Sequence, residues 1–145
     1  MQSPTYTPFI ARLQPLLSAG AHLSHVDFEP QTALTRALAA PVTEIATFYF
    51  NGSPNADWLD NASQAGEWLE REAPESRGIA YGITHEEVEY QGIKGKAAVI
   101  VVGWTSREAH MTFRETESFR ENIGLLRGAS GAVEMHHVAV MEAVE

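Results

Sequence analysis

Six histidines in a chain that contains no cysteine set the range of chemistry open to this sequence. Disulfides, thiolate metal sites and a cysteine nucleophile are excluded together. Imidazole, carboxylate, hydroxyl and aromatic groups remain. An imidazole titrates near neutral pH and can both take and return a proton, so the sharpest reading is acid/base work on an enolisable or phenolic substrate. His137, His136, His110 and His25 are the candidates, because each falls on a predicted strand or near the start of a predicted helix. Tyr49 and Tyr81 could donate to a developing enolate oxygen, with Tyr49 the preferred donor, and Trp58 and Trp104 could wall an aromatic substrate. Each of these residues also has a plainer role, the histidines as bonded core or interface groups and the tryptophans as core packing.

Metal chemistry finds less support. His25-Val26-Asp27 has the His-x-Asp form, and residues two apart on a strand share a face, so both could reach one ion if a distant third ligand joined them. His136 and His137 are strand neighbours that point to opposite faces and cannot hold the same ion. His85-Glu86-Glu87 lacks the second histidine four residues on, since position 89 is Glu89. No metal and no cofactor are expected. Gly128-Ala129-Ser130-Gly131 follows a helix instead of opening one, so it lacks the geometry that cradles phosphate, and Gly92 to Lys96 reads as a hairpin connection. There is no Gly-x-Ser-x-Gly elbow and no dinucleotide fingerprint.

The elements that must position these groups are legible in the pattern. Val42 to Phe50 is β-branched and aromatic and ends at Asn51-Gly52, a strand and a turn. Ser53-Pro54 signals a helix start, and Trp58, Ala62, Ala65 and Leu69 recur at helical spacing before Pro74. Gly78–Ile83 and Ala97–Trp104 read as two more strands, the second almost continuously apolar and so central. Thr105 and Glu108 have capping-box spacing and open a helical region that runs to Gly128, with a break near Glu115–Ser118 where the apolar phase slips. Val133–Met141 has period-two chemistry with apolar residues on both faces. Residues 42–145 thus spell β-α-β-β-α-β, the ferredoxin-like α+β order.

The first forty residues read as a truncated copy of the second half of that unit. Phe9, Leu13 and Leu16 repeat the spacing of Phe119, Ile123 and Leu126, and Leu23–Phe28 then matches Met135–Val140, with His25 opposite His137. Pro15 interrupts the early helix and has no counterpart. The expected division is a helix–strand extension over 1–40 and an α+β barrel domain over 41–145.

Nineteen acidic against ten basic side chains give a formal charge of −9, which repels phosphate backbones and anionic membranes. No nucleic-acid and no membrane partner is therefore expected. The longest apolar runs fall short of a membrane span, and the N-terminus lacks a basic start and apolar run, so the expected location is cytoplasmic.

The stretch Gly103-Trp104-Thr105-Ser106-Arg107-Glu108-Ala109-His110-Met111-Thr112-Phe113 resembles the strand-to-helix junction of antibiotic-biosynthesis-monooxygenase-like and stress-responsive dimeric α+β barrel proteins. In those proteins an aromatic closes the third strand, a small polar residue caps the helix and a histidine lies in its first turns. Trp104, Thr105 or Ser106, and His110 occupy those positions here, and His136-His137-Val138 and the strand from Val42 look similar too. The resemblance implies a homodimer joined sheet to sheet, a pocket between sheet and helices, and a small apolar or aromatic ligand. His137, His110, Tyr49 and His136 are then the catalytic candidates, and Trp104, Trp58, Tyr81, Phe113 and His25 the substrate-binding ones. The preferred activity is cofactor-free cyclisation, isomerisation or elimination on a polyketide-like metabolite. A cofactor-independent oxygenase of a phenol and a non-catalytic binding or dimerisation module remain open.

Overall fold

The computed structural model describes residues 6–19 and 22–141. Its centre is a four-stranded antiparallel sheet of β1 (Val42–Tyr49), β2 (Ser76–Ile83), β5 (Ala97–Trp104) and β6 (Ala132–Val138), ordered β2-β5-β1-β6. Helix α3 (Trp58–Glu72) joins β1 to β2, and α4 (Arg107–Arg114), α5 (Glu117–Asn122) and α6 (Gly124–Arg127) join β5 to β6. This is the ferredoxin-like α+β fold that the order of elements predicts. A small hairpin, β3 (Val88–Tyr90) and β4 (Ile93–Gly95), is added between β2 and β5. Its turn places Gln91 and Gly92 at φ 51° and 78°, the positive values that a tight two-residue hairpin demands at both positions.

Alternation along the strands sorts their side chains into two faces. Glu44, Ala46 and Phe48 of β1 share one face with Ile100, Val102 and Trp104 of β5, Ile79 and Tyr81 of β2, and Met135 and His137 of β6. The helices cover this face, packing Trp58, Ala62, Ala65, Trp68, Leu69, Phe113 and Leu126 against it. The two buried helix-borne indoles have partners: Trp58 Nε1 donates to the Leu126 carbonyl at 2.9 Å and Trp68 Nε1 to Ser118 Oγ at 2.8 Å.

Helix starts differ from the sequence reading in two places. Helix α3 begins at Trp58 and not at Ser53-Pro54, because Trp58 N donates to the Asn55 carbonyl and closes a turn ahead of the helix. At α4 the cap is Ser106, whose Oγ accepts from Ala109 N at 3.0 Å, while Thr105 Oγ1 turns away to donate to the Glu75 carboxylate. The break in the second helical region falls where the phase slip places it, with Thr116 Oγ1 capping α5 by accepting from Phe119 N at 3.2 Å.

The N-terminal part departs further from expectation. Helix α1 spans Tyr6–Leu13 and passes into a 3-10 turn, Gln14–Leu16, that contains Pro15. The expected strand over Leu23–Phe28 is reduced to isolated bridges, Val26 to Thr84 and Glu29 to Tyr81, along the outer edge of β2. Helix α2 (Gln31–Ala39) follows, with no counterpart in the proposed copy. It lies on the second face of the sheet. A Cβ on Gly103 would sit 2.8 Å from Ala37 Cα and 2.8 Å from Ala40 Cβ, and Thr43 Oγ1 donates to the Ala37 carbonyl at 2.9 Å. The chain thus covers part of its own second face, which the other part of β1 and β6 leaves open.

Candidate functional site

A continuous polar chain runs through the helix-covered face. Glu44 and His137 are direct cross-strand partners on β1 and β6, and Trp104 lies on the same face one strand over. His110 is held in the first turns of α4 by the Ser106 cap, its ring stacked on the Trp104 indole with centroids 4.7 Å apart. Trp104 Nε1 donates to Glu44 Oε2 at 2.9 Å, His110 Nε2 lies 3.3 Å from the same oxygen, and His110 Nδ1 lies 2.7 Å from His137 Nε2. Glu44 and His110 are 8% and 3% exposed, while His137 is half-buried and forms the outer end of the chain.

Burial governs the proton affinities. It pushes the Glu44 carboxyl up to about 7, against the opposing pull of the Trp104 hydrogen bond and the Arg114 charge. His110 is lowered to about 4, first by burial and then by the charges of His137 and Arg114. His137 is lowered too, by partial burial and by Arg107 and Arg114. Both shifts favour the uncharged pair, a protonated carboxyl beside a neutral imidazole.

Among the predicted residues, His110, His137 and Trp104 come together here, with Phe113 packed 5.7 Å from Trp104 between ring centroids. Trp58 and Tyr81 are buried on the same face but belong to the core, edge to face at 6.4 Å. Tyr49 does not join them. It points to the second face, where its hydroxyl donates to Glu134 at 3.1 Å and its ring stacks on Tyr90 at 4.5 Å. Burial and the Glu134 charge push its pKa up to about 12. His136 points to that face as well, 3.7 Å from Glu134, opposite in direction to His137. The pairing of Tyr49 with His137 or His110 expected from sequence is thus not made, because odd and even positions of β1 diverge to opposite sides.

Sequence reasoning missed Glu44. Its signal is an acid at the parity of Ala46, Phe48 and Phe50, an inward position in an otherwise apolar register.

The second face carries an open concavity of about 1420 Å³. Its floor includes Ile45, Thr47, Tyr49 and Val99, and its rim is the 22–28 segment and the 84–90 loop and strand. His25 lies there, its ring and backbone N–H both bonded to the Glu86 carboxylate, which the backbone bond chiefly holds down to about 2. His85 Nε2 pairs in turn with Asp27 at 2.8 Å. His25 and Asp27 thus each engage a different partner across the rim, and among the described residues no three histidines or carboxylates are grouped as a metal would require.

Comparison with known proteins places this architecture. The chain has the ferredoxin-like fold found in antibiotic-biosynthesis-monooxygenase-like proteins. The Arabidopsis thaliana protein At3g17210 superposes with a TM-score of 0.54 at 11% identity, over 72% of this chain and 100% of its own. A Bordetella bronchiseptica protein provisionally assigned as an antibiotic biosynthesis monooxygenase gives 0.51 at 21% identity, over 71% and 97%. SnoaB, a cofactor-independent oxygenase of Streptomyces nogalater, gives 0.48 at 17% identity, over 71% and 95%. No family model and no curated protein sequence matches the chain. Among the described residues no helix is long and apolar enough to cross a membrane.

Proposed function

We propose that this chain is a cofactor-free acid/base enzyme that moves a proton on a small apolar or aromatic, polyketide-like molecule, with His137 as the group that meets the substrate. The observation that supports this reading is the unbroken Glu44–His110–His137 chain. With Glu44 ionised, Trp104 and His110 Nε2–H both donate to it, and His137 Nε2–H donates to His110 Nδ1. His137 Nδ1 is then bare and acts as the base.

When His137 Nδ1 takes a proton, its Nε2 proton passes to His110 Nδ1 and the His110 Nε2 proton passes to Glu44. The proton ends on Glu44, which becomes a neutral carboxyl, and neither ring stays cationic. Burial favours that end state, since it raises the proton affinity of Glu44 and lowers that of His110 and of His137. The reverse sequence returns the proton through His137 Nδ1–H as an acid, which serves cyclisation, isomerisation or elimination equally.

The test is exchange of the central protons of an aromatic 1,3-diketone in deuterated water, followed by NMR. Wild type should accelerate exchange, and His137→Ala should remove about 10²–10⁴-fold of that acceleration. Equal rates with and without the protein would sink the reading. Oxygen uptake with a phenolic substrate would move the assignment to a cofactor-independent monooxygenase, which the same base serves by forming the phenolate. The open concavity favours a second role in holding a ligand or a second copy of the chain. We propose the latter, a homodimer meeting on that face, and light scattering at micromolar concentration tests it.

A further inference from the structure

In a chain with nineteen acidic residues, the longest run without one is the segment ahead of Asp27. Within it, Phe9, Leu13 and Leu16 stand four and three apart, the spacing of one helical face, on α1 and the turn that follows it. Phe9 and Leu16 are 58% and 80% exposed, and Leu17 beside them is exposed too. Among the described residues α1 packs substantially on no element but that turn. The single chain thus leaves an amphipathic face without a cover.

The concavity on the second face has the complementary character. Ile45, Val99 and the stacked rings of Tyr49 and Tyr90 offer apolar surface, Asp27, Glu86, Glu87, Glu89 and Glu134 surround it, and no lysine or arginine lines it. Two copies meeting on this face would set like charges against each other, which opposes association unless a segment without negative charge lies between them. Helix α1 is such a segment, with Arg12 and no acid. As a helical rod, Tyr6–Leu16 is about 16 Å long and about 10 Å across, on the order of 10³ Å³, against about 1420 Å³ in the concavity. None of residues 6–19 of the same chain lines it. The root of the arm does: the 22–28 segment forms the rim, held there by the His25 N–H on Glu86 and by the His85 N–H on the His25 carbonyl at 2.8 Å.

We propose that the arm Tyr6–Leu16 of one copy seats in the second-face concavity of the other, so that Phe9, Leu13 and Leu16 cover its floor and Arg12 meets its carboxylates. This arrangement rests on the proposed homodimer on that face and supplies the residues that join it. The exchange is isologous, each copy giving an arm and receiving one. From Leu16 to His22 the chain can span up to about 20 Å, enough to pass from the rim of one concavity into the one that faces it.

The experiment measures the dimer Kd by sedimentation for the full chain as wild type, the double variant Phe9→Ser with Leu16→Ser, Arg12→Glu and Arg12→Lys. Loss of the two exposed apolar anchors should raise Kd by about tenfold or more. Arg12→Glu should raise it about tenfold at low salt and less at high salt, while Arg12→Lys leaves it within about twofold. Because the chain has no cysteine, introduced thiols report the seat directly. A tagged copy with Leu16→Cys, mixed with an untagged copy with Thr47→Cys and mildly oxidised, should form a disulfide between the two chains. The same tagged copy mixed with Gln64→Cys, exposed on α3, sets the background. A Kd unchanged by the apolar double variant, or a Leu16 to Thr47 link no stronger than that background, overturns the arm exchange, and a wild-type dimer then leaves the homodimer standing without it. A wild type that stays monomeric overturns both. A link formed only within one chain that carries both substitutions also overturns the exchange, since it assigns the seat to the chain's own arm.

Discussion

Trp104 Nε1 and Glu44 Oε2 lie 2.9 Å apart, and this bond fixes a buried carboxyl beneath the histidine stacked on the same indole. One aromatic residue therefore sets the position of both inner members of the relay. Trp104→Phe keeps the stack and removes the donor. It should slow proton exchange by about tenfold or more with a loss of roughly 1–3 kcal/mol in stability, read from activity and denaturant unfolding together.

Stability against pH should report Glu44 directly. Its folded pKa is raised to about 7, so between the unfolded value of 4.5 and 7 the folded state keeps a proton that the unfolded state has lost. That contribution is full below 4.5 and disappears as the pH rises through 7. His110, lowered from 6.5 to about 4, slopes the other way over 4 to 6.5. Glu44→Gln removes the first slope and retains the second. The melting temperature of the variant minus that of wild type should therefore grow steadily from pH 4.5 to 7, and a constant difference would contradict the assignment.

The two histidines should separate by their burial. His137→Ala at the half-buried end should cost activity with little change in melting temperature. His110→Ala empties a buried ring site and leaves Glu44 without its neighbour, so unfolding should be easier by about 2–4 kcal/mol. Activity and thermal melts on the same preparations distinguish the outcomes.

Gly103→Ala tests the packing of α2. The new methyl would meet Ala37 Cα and Ala40 Cβ at 2.8 Å, and the Arg77 carbonyl at 2.7 Å, with backbone that cannot swing aside. A loss of about 1–3 kcal/mol is expected. A neutral result would mean that α2 moves off the sheet without consequence.

Much of this was legible beforehand. Periodicity marked β1, β5 and the helix stripe of Trp58, Ala62, Ala65 and Leu69, because burial on a face imposes a period on the chain. The opposite directions of His136 and His137 followed from the pleat alone. Pairing across the sheet was not legible: that Glu44 faces His137 depends on register over ninety residues of intervening chain, whereas Tyr49, five residues from Glu44 on the same strand, faces the other way by the pleat alone. Helix α2 escaped notice because Gln31–Ala39 carries a weak apolar stripe and packs through small residues, Ala37 and Ala40, against glycine. Such contacts leave almost no hydrophobic signal.

The relay also joins two strands of unlike standing. β1 is bonded on both sides, to β5 and β6, whereas β6 is the edge of the sheet. Amides of a central strand exchange with solvent only when the whole molecule opens, and those of an edge strand exchange through local fraying. Glu44 is thus anchored in a strand expected to exchange slowly and His137 in one expected to exchange faster. Breathing of β6 would break the proton path at its outer link while the carboxyl stays sealed, so a proton stored on Glu44 returns to solvent only while β6 is docked.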